Sequence, residues 1–483
     1  MKKNMLLNAI KGIMSLIFPL ITFPYISRVL GVENLGRVNF ANSVVSYFIL
    51  IGSFGISSYA TREGASVRSD REKFNRFANE IFSINVLTAF FAYMLLLVVV
   101  ICGKTLHGYV GLIAIYAATI LFNVLSVEWV YTSHEEYTYI TLRSIVFQII
   151  SIILMLLFVK NESKISAYAY AMISVFANAG SGILNFIRSR RYCHIHLVKN
   201  MRFKYHMKPM CVFFGTAFIS TIFVSSDTTL LGFLCGDAPV GIYAVSVRIY
   251  TLVKTLLTSL IMVSIPQLSE LYLNKKSEEF QSVSEDVLNV LVTFLIPAMI
   301  GIILMSKEII LIIAGEEYLA SVKPLIMLSI ALGFSIGSLF YGQCILIPCK
   351  KESINLYAAI ICAVVNVLLN LILIPRWQEN AAAFTTIIAE ATGFFIFWIS
   401  ARKIVKYRSI LKLMVKVALG CGGICVTCLI IKLLVNNYII CTVLSVSLSV
   451  FVYLGIEVLC RNQAVYEVIK KMKAKIGGRE QSI

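Results

Sequence analysis

Apolar runs of about 20 residues recur along the whole chain and are separated mostly by short polar segments. A run of this length can cross the hydrocarbon core of a bilayer as a helix. The sequence predicts about fourteen such spans, and therefore an all-α integral membrane protein. Composition supports this interpretation, because 59% of the 483 residues are hydrophobic and only 14% are charged. Soluble domains carry about 25% charged residues, so a soluble protein is excluded.

The first apolar run follows Lys2 and Lys3 and is too long for the h-region of a cleavable signal peptide. No small-residue cleavage site follows it. We therefore expect the first span to be a retained signal anchor.

Lysine and arginine are distributed unevenly between alternate loops. The termini and the even-numbered loops carry 29 of these residues, and the odd-numbered loops carry 7. Because basic residues are retained on the cytoplasmic side, both termini are predicted to be cytoplasmic. The net charge of +18 is then mainly a topology signal, with attraction to anionic lipid headgroups as a secondary effect. We expect the basic segment 188–208 to be a cytoplasmic linker rather than a nucleic-acid-binding arm.

The chain contains an internal repeat at an offset of 205 residues. This offset pairs "LGVENLG" with "CGDAPVG", and thereby Gly31 with Gly236 and Gly36 with Gly241. The glycines fall in predicted turns between two spans, where a positive φ has a low energetic cost only for a residue without a Cβ. An offset of six spans preserves orientation, so two parallel six-helix repeats followed by two additional helices are predicted.

The first helix of each repeat carries a polar stripe. At 100° per residue, the stripes fall on one face of each helix and comprise Lys11, Ser15, Thr22 and Tyr25 in the first repeat and Thr216, Ser220 and Asp227 in the second. Contacts between helices would explain the hydroxyl residues, whereas Lys11 and Asp227 favour a water-filled cavity. Pro19 and Pro24 agree with a cavity-lining helix, since a bent helix with freed carbonyls is tolerated beside protein or water.

Charged residues inside predicted spans are the candidate site residues. A charge at the centre of a span costs about 2.5–3.5 kcal/mol on insertion scales, so its retention points to function. The basic candidates, assigned to substrate binding, are Lys11, Arg28, Arg248 and Lys254. The acidic candidates, assigned to ion coupling or charge pairing, are Asp227 and Glu390. Lys11 and Arg28 lie near enough to the helix ends to snorkel, which leaves that alternative open for both. Because basic residues predominate, the predicted cavity suits an anionic substrate whose phosphates accept charge-assisted hydrogen bonds.

Several motifs resemble those of the polysaccharide repeat-unit flippases. They are "RVLG-x4-G" after the first span, its repeat "LLGFLCGDAPVGIYAVS" (230–246), and "GEEYLAS" (315–321) before the tenth span. That family shares a superfamily with murein-precursor flippases and multidrug-and-toxin extrusion carriers. The resemblance implies a V-shaped, two-lobed carrier with a cationic cavity, which this chain would line with the four basic candidates.

The resemblance also implies a function. The chain would move an undecaprenyl-pyrophosphate-linked oligosaccharide across the cytoplasmic membrane by alternating access, for capsule, O-antigen or exopolysaccharide synthesis. Expected partners are membrane lipids and the glycan polymerase or glycosyltransferases of the pathway, and nucleic acid is not among them. We expect no cofactor, since no nucleotide-binding Gly-x4-Gly-Lys-Ser/Thr loop occurs. We also expect no metal site, and interpret Cys421, Cys425 and Cys428 as packing residues.

Two other functions fit a polytopic membrane protein. A drug or cation exporter on the same scaffold would favour acidic and aromatic cavity residues over Lys11, Arg248 and Lys254. A membrane-embedded glycan polymerase would need a substantial external loop with catalytic groups, and the longest external loop, 306–318, is mostly apolar. We therefore do not expect an enzyme.

The predicted domain organisation follows from the repeat and the charge pattern. It comprises an N-terminal six-helix lobe (1–190), a basic linker (191–208), a second six-helix lobe (209–402), two additional helices (403–460) and a basic cytoplasmic tail (461–483).

Overall fold

The computed structural model describes residues 2–407, 410–462 and 464–466, and the side chains of residues 2–16 and 179 lie outside this description. Within those ranges the chain is helical and contains no β-strand. The α-helices are α1 (Lys2–Ser53), α2 (Ile56–Val67), α3 (Arg71–Cys102), α4 (Val110–Ser126), α5 (Glu128–Ser133), α6 (Tyr137–Phe158), α7 (Lys164–Ala179), α8 (Gly182–Arg188), α9 (Phe203–Cys235), α10 (Asp237–Leu273), α11 (Ser277–Leu304), α12 (Ser306–Ile313), α13 (Val322–Leu339), α14 (Glu352–Ala401), α15 (Ile410–Leu434) and α16 (Tyr438–Leu459). A π-helical segment, Phe340–Leu346, continues α13.

Twelve helical stretches of the described chain are long and apolar enough to cross a membrane, which confirms the prediction of an all-α multi-pass membrane protein. Two helices are much longer than the roughly 20 residues that a span needs. Helix α1 has 52 residues with a non-helical residue at Gly31, and α14 has 50 with one at Gln378. Division of both helices at these residues would produce the predicted fourteen spans, a number that stays a prediction.

Helix α14 reverses direction at Gln378. The Thr385 hydroxyl donates a hydrogen bond to the Asn370 side-chain oxygen, although the two residues are 15 positions apart. In a straight helix, that separation would place them about 22 Å apart. The two halves of α14 therefore pack side by side as a helical hairpin.

The glycine turns of the two repeats have the same backbone conformation. Gly31 has φ 71° and ψ 174°, and Gly236 has φ 87° and ψ −164°. Residues with a Cβ rarely adopt a positive φ of this kind. The prediction of a positive φ is confirmed for Gly31 and Gly236, whereas Gly36 and Gly241 lie in helical backbone of α1 and α10.

The two turns also contact each other through their second glycines. A Cβ on Gly36 would lie 1.9 Å from the Asp237 carbonyl oxygen, and a Cβ on Gly241 would lie 2.1 Å from the Val32 carbonyl oxygen. Val32 and Asp237 are themselves 205 residues apart, so the contact is reciprocal, as in an interface with two-fold symmetry. Backbone approach this close leaves no room for a side chain at either glycine.

The chain divides into two compact units, and the first ends at Ala244 while the second begins at Val245. In the first unit, α1 packs against α3, α4, α6 and α9. Its core includes Ile26, Leu30 and Phe40, which are fully buried. Because α9 and the start of α10 pack with α1, the boundary falls within α10, and the predicted lobes 1–190 and 209–402 stay predictions.

The second unit has two apolar clusters. One joins α10, α11, α13 and the π-helical segment around Ile261, Phe340 and Ile345. The other joins α11 to α15 and α16 and contains Cys421 and Cys428. These two cysteines are thus packed among apolar side chains.

The basic linker contains an extended segment, residues 193–200, that lies along α3 and that we call the first strap. Its alternate backbone N–H groups donate to α3 side chains in three hydrogen bonds, His194 to Asn75 (2.7 Å), His196 to Asn79 (2.9 Å) and Val198 to Ser83 (2.9 Å). Every second residue of an extended chain repeats at about 6.6 Å. Every fourth residue of a helix repeats at about 6 Å, so the two spacings match.

A second strap, residues 402–407, lies on α11. Gln281 donates to the Lys406 carbonyl oxygen at 2.5 Å, and the Tyr407 hydroxyl donates to Ser284 Oγ at 3.3 Å. Ser284 is related by the repeat offset to Asn79, which binds the first strap. Each repeat therefore ends in a strap held on its third helix.

The reciprocal turn contact predicts that neither glycine tolerates alanine. We expect Gly36→Ala and Gly241→Ala each to lower the free energy of unfolding by about 1–3 kcal/mol or more, because the added Cβ overlaps backbone atoms. Denaturation of the purified protein in mixed micelles measures this change.

Gly215→Ala is the matched control, since no atom lies within 4 Å of a Cβ at this position in α9. We expect this variant to be stabilised by up to about 1 kcal/mol through helix propensity. Equal unfolding free energies for the three variants would contradict the close contact.

The first strap predicts protection of Cys193. This thiol is buried, and burial raises its pKa to about 12. Loss of the α3 hydrogen bonds in the triple variant Asn75→Ala, Asn79→Ala, Ser83→Ala exposes the thiol and returns its pKa towards normal, so more reactive thiolate forms. We expect maleimide labelling of the Cys193 peptide, followed by mass spectrometry, to accelerate at least about tenfold.

Ser66→Ala is the control for this labelling, because Ser66 bonds only within α2, to the Glu63 carbonyl oxygen. Unchanged labelling of the triple variant would show that the α3 side chains do not hold the strap.

Candidate substrate-binding site

Helices α10 and α14 bring two of the six candidate residues together inside the second unit. Lys254 Nζ lies 3.0 Å from Glu390 Oε1 and 3.2 Å from the Tyr250 hydroxyl. The Tyr250 hydroxyl donates to the same Glu390 oxygen at 3.1 Å. Tyr250 and Lys254 are four residues apart on one face of α10, so a single helix presents both groups to Glu390.

This ion pair makes the two charges tolerable inside a membrane-spanning helix. Glu390 is almost completely buried, with a side chain 9% exposed, and an unpaired carboxylate there would carry a large desolvation penalty. The Lys254 side chain is 28% exposed, whereas its ammonium group is bonded to Glu390 and Tyr250. A polar ligand could therefore reach the exposed part of this side chain without entering the core.

The exposed face of α10 beside Lys254 is polar. It carries Thr251, Thr255 and Ser259, all exposed. Thr255 donates to the Thr251 carbonyl oxygen and Ser259 to the Leu256 carbonyl oxygen, both within α10. The hydroxyl groups of Thr255 and Ser259 are thus bonded to their own helix, which disfavours their interpretation as contacts between helices.

The other basic candidates occupy different places. Arg248 is half-buried on α10, six residues before Lys254. Arg28 is exposed on α1 in the first unit. The side chain of Lys11 lies outside the described residues. Their assignment to substrate binding stays a prediction.

Asp227 is buried in α9 and accepts a 2.6 Å hydrogen bond from the Tyr243 hydroxyl. Tyr243 lies on the first part of α10, so this bond joins the two helices that flank the Gly236 turn. Sequence reasoning considered a basic partner or an ion for Asp227 and did not consider Tyr243.

The two polar stripes differ in exposure. On α1, Thr22 is buried, and the Tyr25 hydroxyl donates to the Val159 carbonyl oxygen at 2.6 Å. The described part of this stripe is therefore a packing face. On α9, Thr216 and Ser220 are exposed, and their hydroxyls bond within the helix.

Hydroxyl side chains also join α1 to α9, a feature that sequence reasoning missed. Ser46 bonds to Ser225 at 3.2 Å, and Thr229 bonds to Ser43 at 3.0 Å. Tyr47 donates to Thr229 at 3.4 Å. Their spacing of three or four residues on each helix was the available signal, but it does not identify the partner helix.

A charged cluster surrounds the reciprocal turn contact. The Tyr109 hydroxyl donates to Asp237 Oδ1 at 2.5 Å, and Arg37 lies 3.9 Å from the other Asp237 oxygen. Arg37 also donates to the Gly108 carbonyl oxygen at 3.1 Å. Side chains from three helical segments thus hold the two repeat turns in contact.

Comparison with known proteins is consistent with this architecture. The family described as polysaccharide biosynthesis protein matches residues 1–272, more than half of the chain. The chain belongs to this family. This finding confirms the resemblance that the repeat motifs indicated.

Two curated relatives have names from the same area. A putative O-antigen transporter of Escherichia coli (strain K12) is 27% identical over 285 residues, which cover 57% of the chain and 66% of that protein. The capsular polysaccharide biosynthesis protein CapF of Staphylococcus aureus is 22% identical over 417 residues, which cover 84% of the chain and 100% of that protein.

Solved structures show the shared fold. The lipid II flippase MurJ in an inward closed conformation matches with a TM-score of 0.76 and 18% identity, over 96% of the chain and 100% of its own. An inward-facing multidrug resistance MATE family transporter of the MOP superfamily matches with a TM-score of 0.65 and 11% identity, over 83% of the chain and 94% of its own. The chain therefore has a carrier-like fold.

The buried ion pair predicts a strong energetic coupling. Lys254→Met and Glu390→Gln each disrupt the pair, and we expect each to lower the free energy of unfolding by up to about 3–5 kcal/mol. The double variant should lose about 1–3 kcal/mol less than the sum of the single losses, since neither charge is then left alone. Unfolding in mixed micelles measures all three variants.

Lys403→Met is the control, because Lys403 is exposed on the second strap. Additive losses in the double variant would mean that the two charges do not stabilise each other.

Proposed function

We propose that the chain is a flippase that moves a lipid-linked oligosaccharide across the cytoplasmic membrane for surface polysaccharide synthesis. Membership of the polysaccharide biosynthesis family and the names of the two curated relatives support this function. The proposed substrate is an undecaprenyl-pyrophosphate-linked repeat unit. Its diphosphate is the group that the basic residues of α10 would bind.

The observation that carries this proposal is the position of Lys254. Its side chain is partly exposed on a membrane-spanning helix, on which the neighbouring Thr251 and Thr255 are also exposed. Diphosphate oxygens would accept charge-assisted hydrogen bonds from Lys254 and Arg248. Sugar hydroxyls would bind along the polar face of α10, while the polyprenyl chain stays in lipid.

Glu390 gives this binding a means of coupling to an ion gradient. A diphosphate that approaches Lys254 competes with the Glu390 carboxylate for the same ammonium group. Displaced Glu390 keeps the Tyr250 hydroxyl and becomes a site for a proton or another cation. Each charge that crosses the membrane supplies about 2.3 kcal/mol per 100 mV, which would favour release on the far side.

Alternating access requires a gate on each side of the membrane. The distribution of lysine and arginine predicts that both termini are cytoplasmic and that the two glycine turns lie outside. We assign the reciprocal contact of Gly36 and Gly241 to the closed outer gate. In this arrangement the substrate enters from the cytoplasm.

The function is tested in a strain that lacks the gene and expresses variants of the chain. We expect Arg248→Ala, Lys254→Ala to reduce surface glycan at least about tenfold and to raise lipid-linked oligosaccharide in the inner leaflet, because the diphosphate loses two charge-assisted hydrogen bonds. Immunoblots of surface glycan and extraction of lipid-linked sugars measure the two quantities.

Two variants separate function from folding. Arg248→Ala, Lys254→Ala, Glu390→Gln also removes the carboxylate that would be left unpaired, and it should be stable but inactive. Lys403→Ala removes one exposed charge and should be active. Normal surface glycan from the stable triple variant would refute the site, and unimpaired glycan with lost dye efflux in the deletion strain would favour a drug exporter.

A further inference from the structure

We propose that a pocket on the predicted cytoplasmic face of the second unit binds a phosphate-bearing anion. The pocket has a volume of about 600 Å³ and lies between the end of α10, the start of α11, the turn before α14 and the second strap. Its lining includes Lys275, Lys276 and Lys350, together with Tyr272 and Gln281. It is separate from the site at Lys254 and does not depend on the proposed transport function.

The charge of this pocket is largely uncompensated. Lys276 forms an ion pair with Glu279 at 2.9 Å. Lys275 and Lys350 form no ion pair with any residue that the structure describes. Among the residues that the structure describes, no acidic side chain lines the pocket, so two ammonium groups from separate loops line one concave surface without a carboxylate between them.

The backbone places both lysines at strained positions. Lys275 has φ 56° and Lys350 has φ 57°, in the left-handed region that glycine adopts more easily. The N–H group of the residue after each lysine caps the preceding helical segment. Lys276 N–H donates to the Leu271 carbonyl oxygen, and Lys351 N–H donates to the Leu346 carbonyl oxygen. Glycine or asparagine is the usual residue at this position of such a helix end. Lysine at these positions therefore carries backbone strain that glycine would relieve.

The repeat supplies an internal comparison. The first unit has a pocket of about 660 Å³ between α3 and the first strap, at the related place in its repeat. That pocket is lined by Glu72 and Glu80 as well as Arg76 and Lys199. The general preference for lysine and arginine on the cytoplasmic side applies equally to both pockets. It therefore does not explain why the pocket of the second unit alone lacks acidic lining.

A phosphate group matches this lining. Ammonium groups bind phosphate oxygens as point charges, and the Gln281 amide and the Tyr272 hydroxyl can donate hydrogen bonds at the rim. Such a phosphate has two sources, the headgroup of an anionic bilayer lipid or a soluble phosphate compound of the cytoplasm. Both lie within reach of a pocket at the ends of membrane-spanning helices.

The test uses the full chain with Lys275→Gly and Lys350→Gly. Glycine relieves the left-handed backbone, so this variant should unfold no more easily than the unsubstituted protein. One arm measures inorganic pyrophosphate binding by calorimetry in detergent. The other counts phosphatidylglycerol molecules retained from nanodiscs by native mass spectrometry. We expect at least a tenfold loss of pyrophosphate affinity, or the loss of one retained lipid.

The matched control is Lys351→Ala, Lys403→Ala, which removes the same number of charges from positions on the turn before α14 and on the second strap that do not line the pocket. It should bind like the unsubstituted protein. A loss confined to the lipid arm identifies a headgroup phosphate, and a loss confined to the pyrophosphate arm identifies a soluble one. Equal binding by the glycine variant and the control, or no binding by the unsubstituted protein in either arm, would overturn the proposal.

Discussion

Polar groups within the bilayer must find their partners inside the chain, because hydrocarbon offers none. On α10 the hydroxyls of Thr255 and Ser259 bond to carbonyl oxygens of their own helix. Lys254 carries a full charge and cannot be satisfied in this way, so it depends on Glu390 of α14. The same requirement accounts for the hydroxyl contacts between α1 and α9. The charged group of the candidate site is thus the one whose partner the fold has to supply.

The internal repeat provides several structural features twice. The positive φ of Gly31 recurs at Gly236, and a strap closes each repeat on its third helix. The chemistry at related positions has nevertheless diverged. Asp70 caps the start of α3 with its carboxylate, whereas the related position in the second repeat holds Lys275 in a left-handed conformation. A common backbone plan therefore carries different charges in the two halves.

Local patterns in the sequence are sufficient to predict membrane-spanning helices, the repeat and the positive φ of Gly31 and Gly236. Hydropathy and the requirement for positive φ depend on a few neighbouring residues. They do not predict the pair of Lys254 and Glu390, which are 136 positions apart on helices whose adjacency no local signal indicates. Nor does periodicity show whether a polar face meets water or another helix. The α1 stripe illustrates this, since Tyr25 binds the Val159 carbonyl oxygen. The strap on α3 was hidden for a related reason, because an extended segment has no periodic signature of its own.

The contact between Gly36 and Gly241 consists of backbone against backbone. Surfaces without side chains have nothing to interdigitate, so no rotamer has to change before they separate. The dispersion attraction between two such surfaces is short-ranged and disappears within a small displacement. Separation of the turns would then be opposed by the charged cluster around Asp237 and by the hydroxyl bonds between α1 and α9, so polar bonds rather than interlocked side chains determine how readily the turns part.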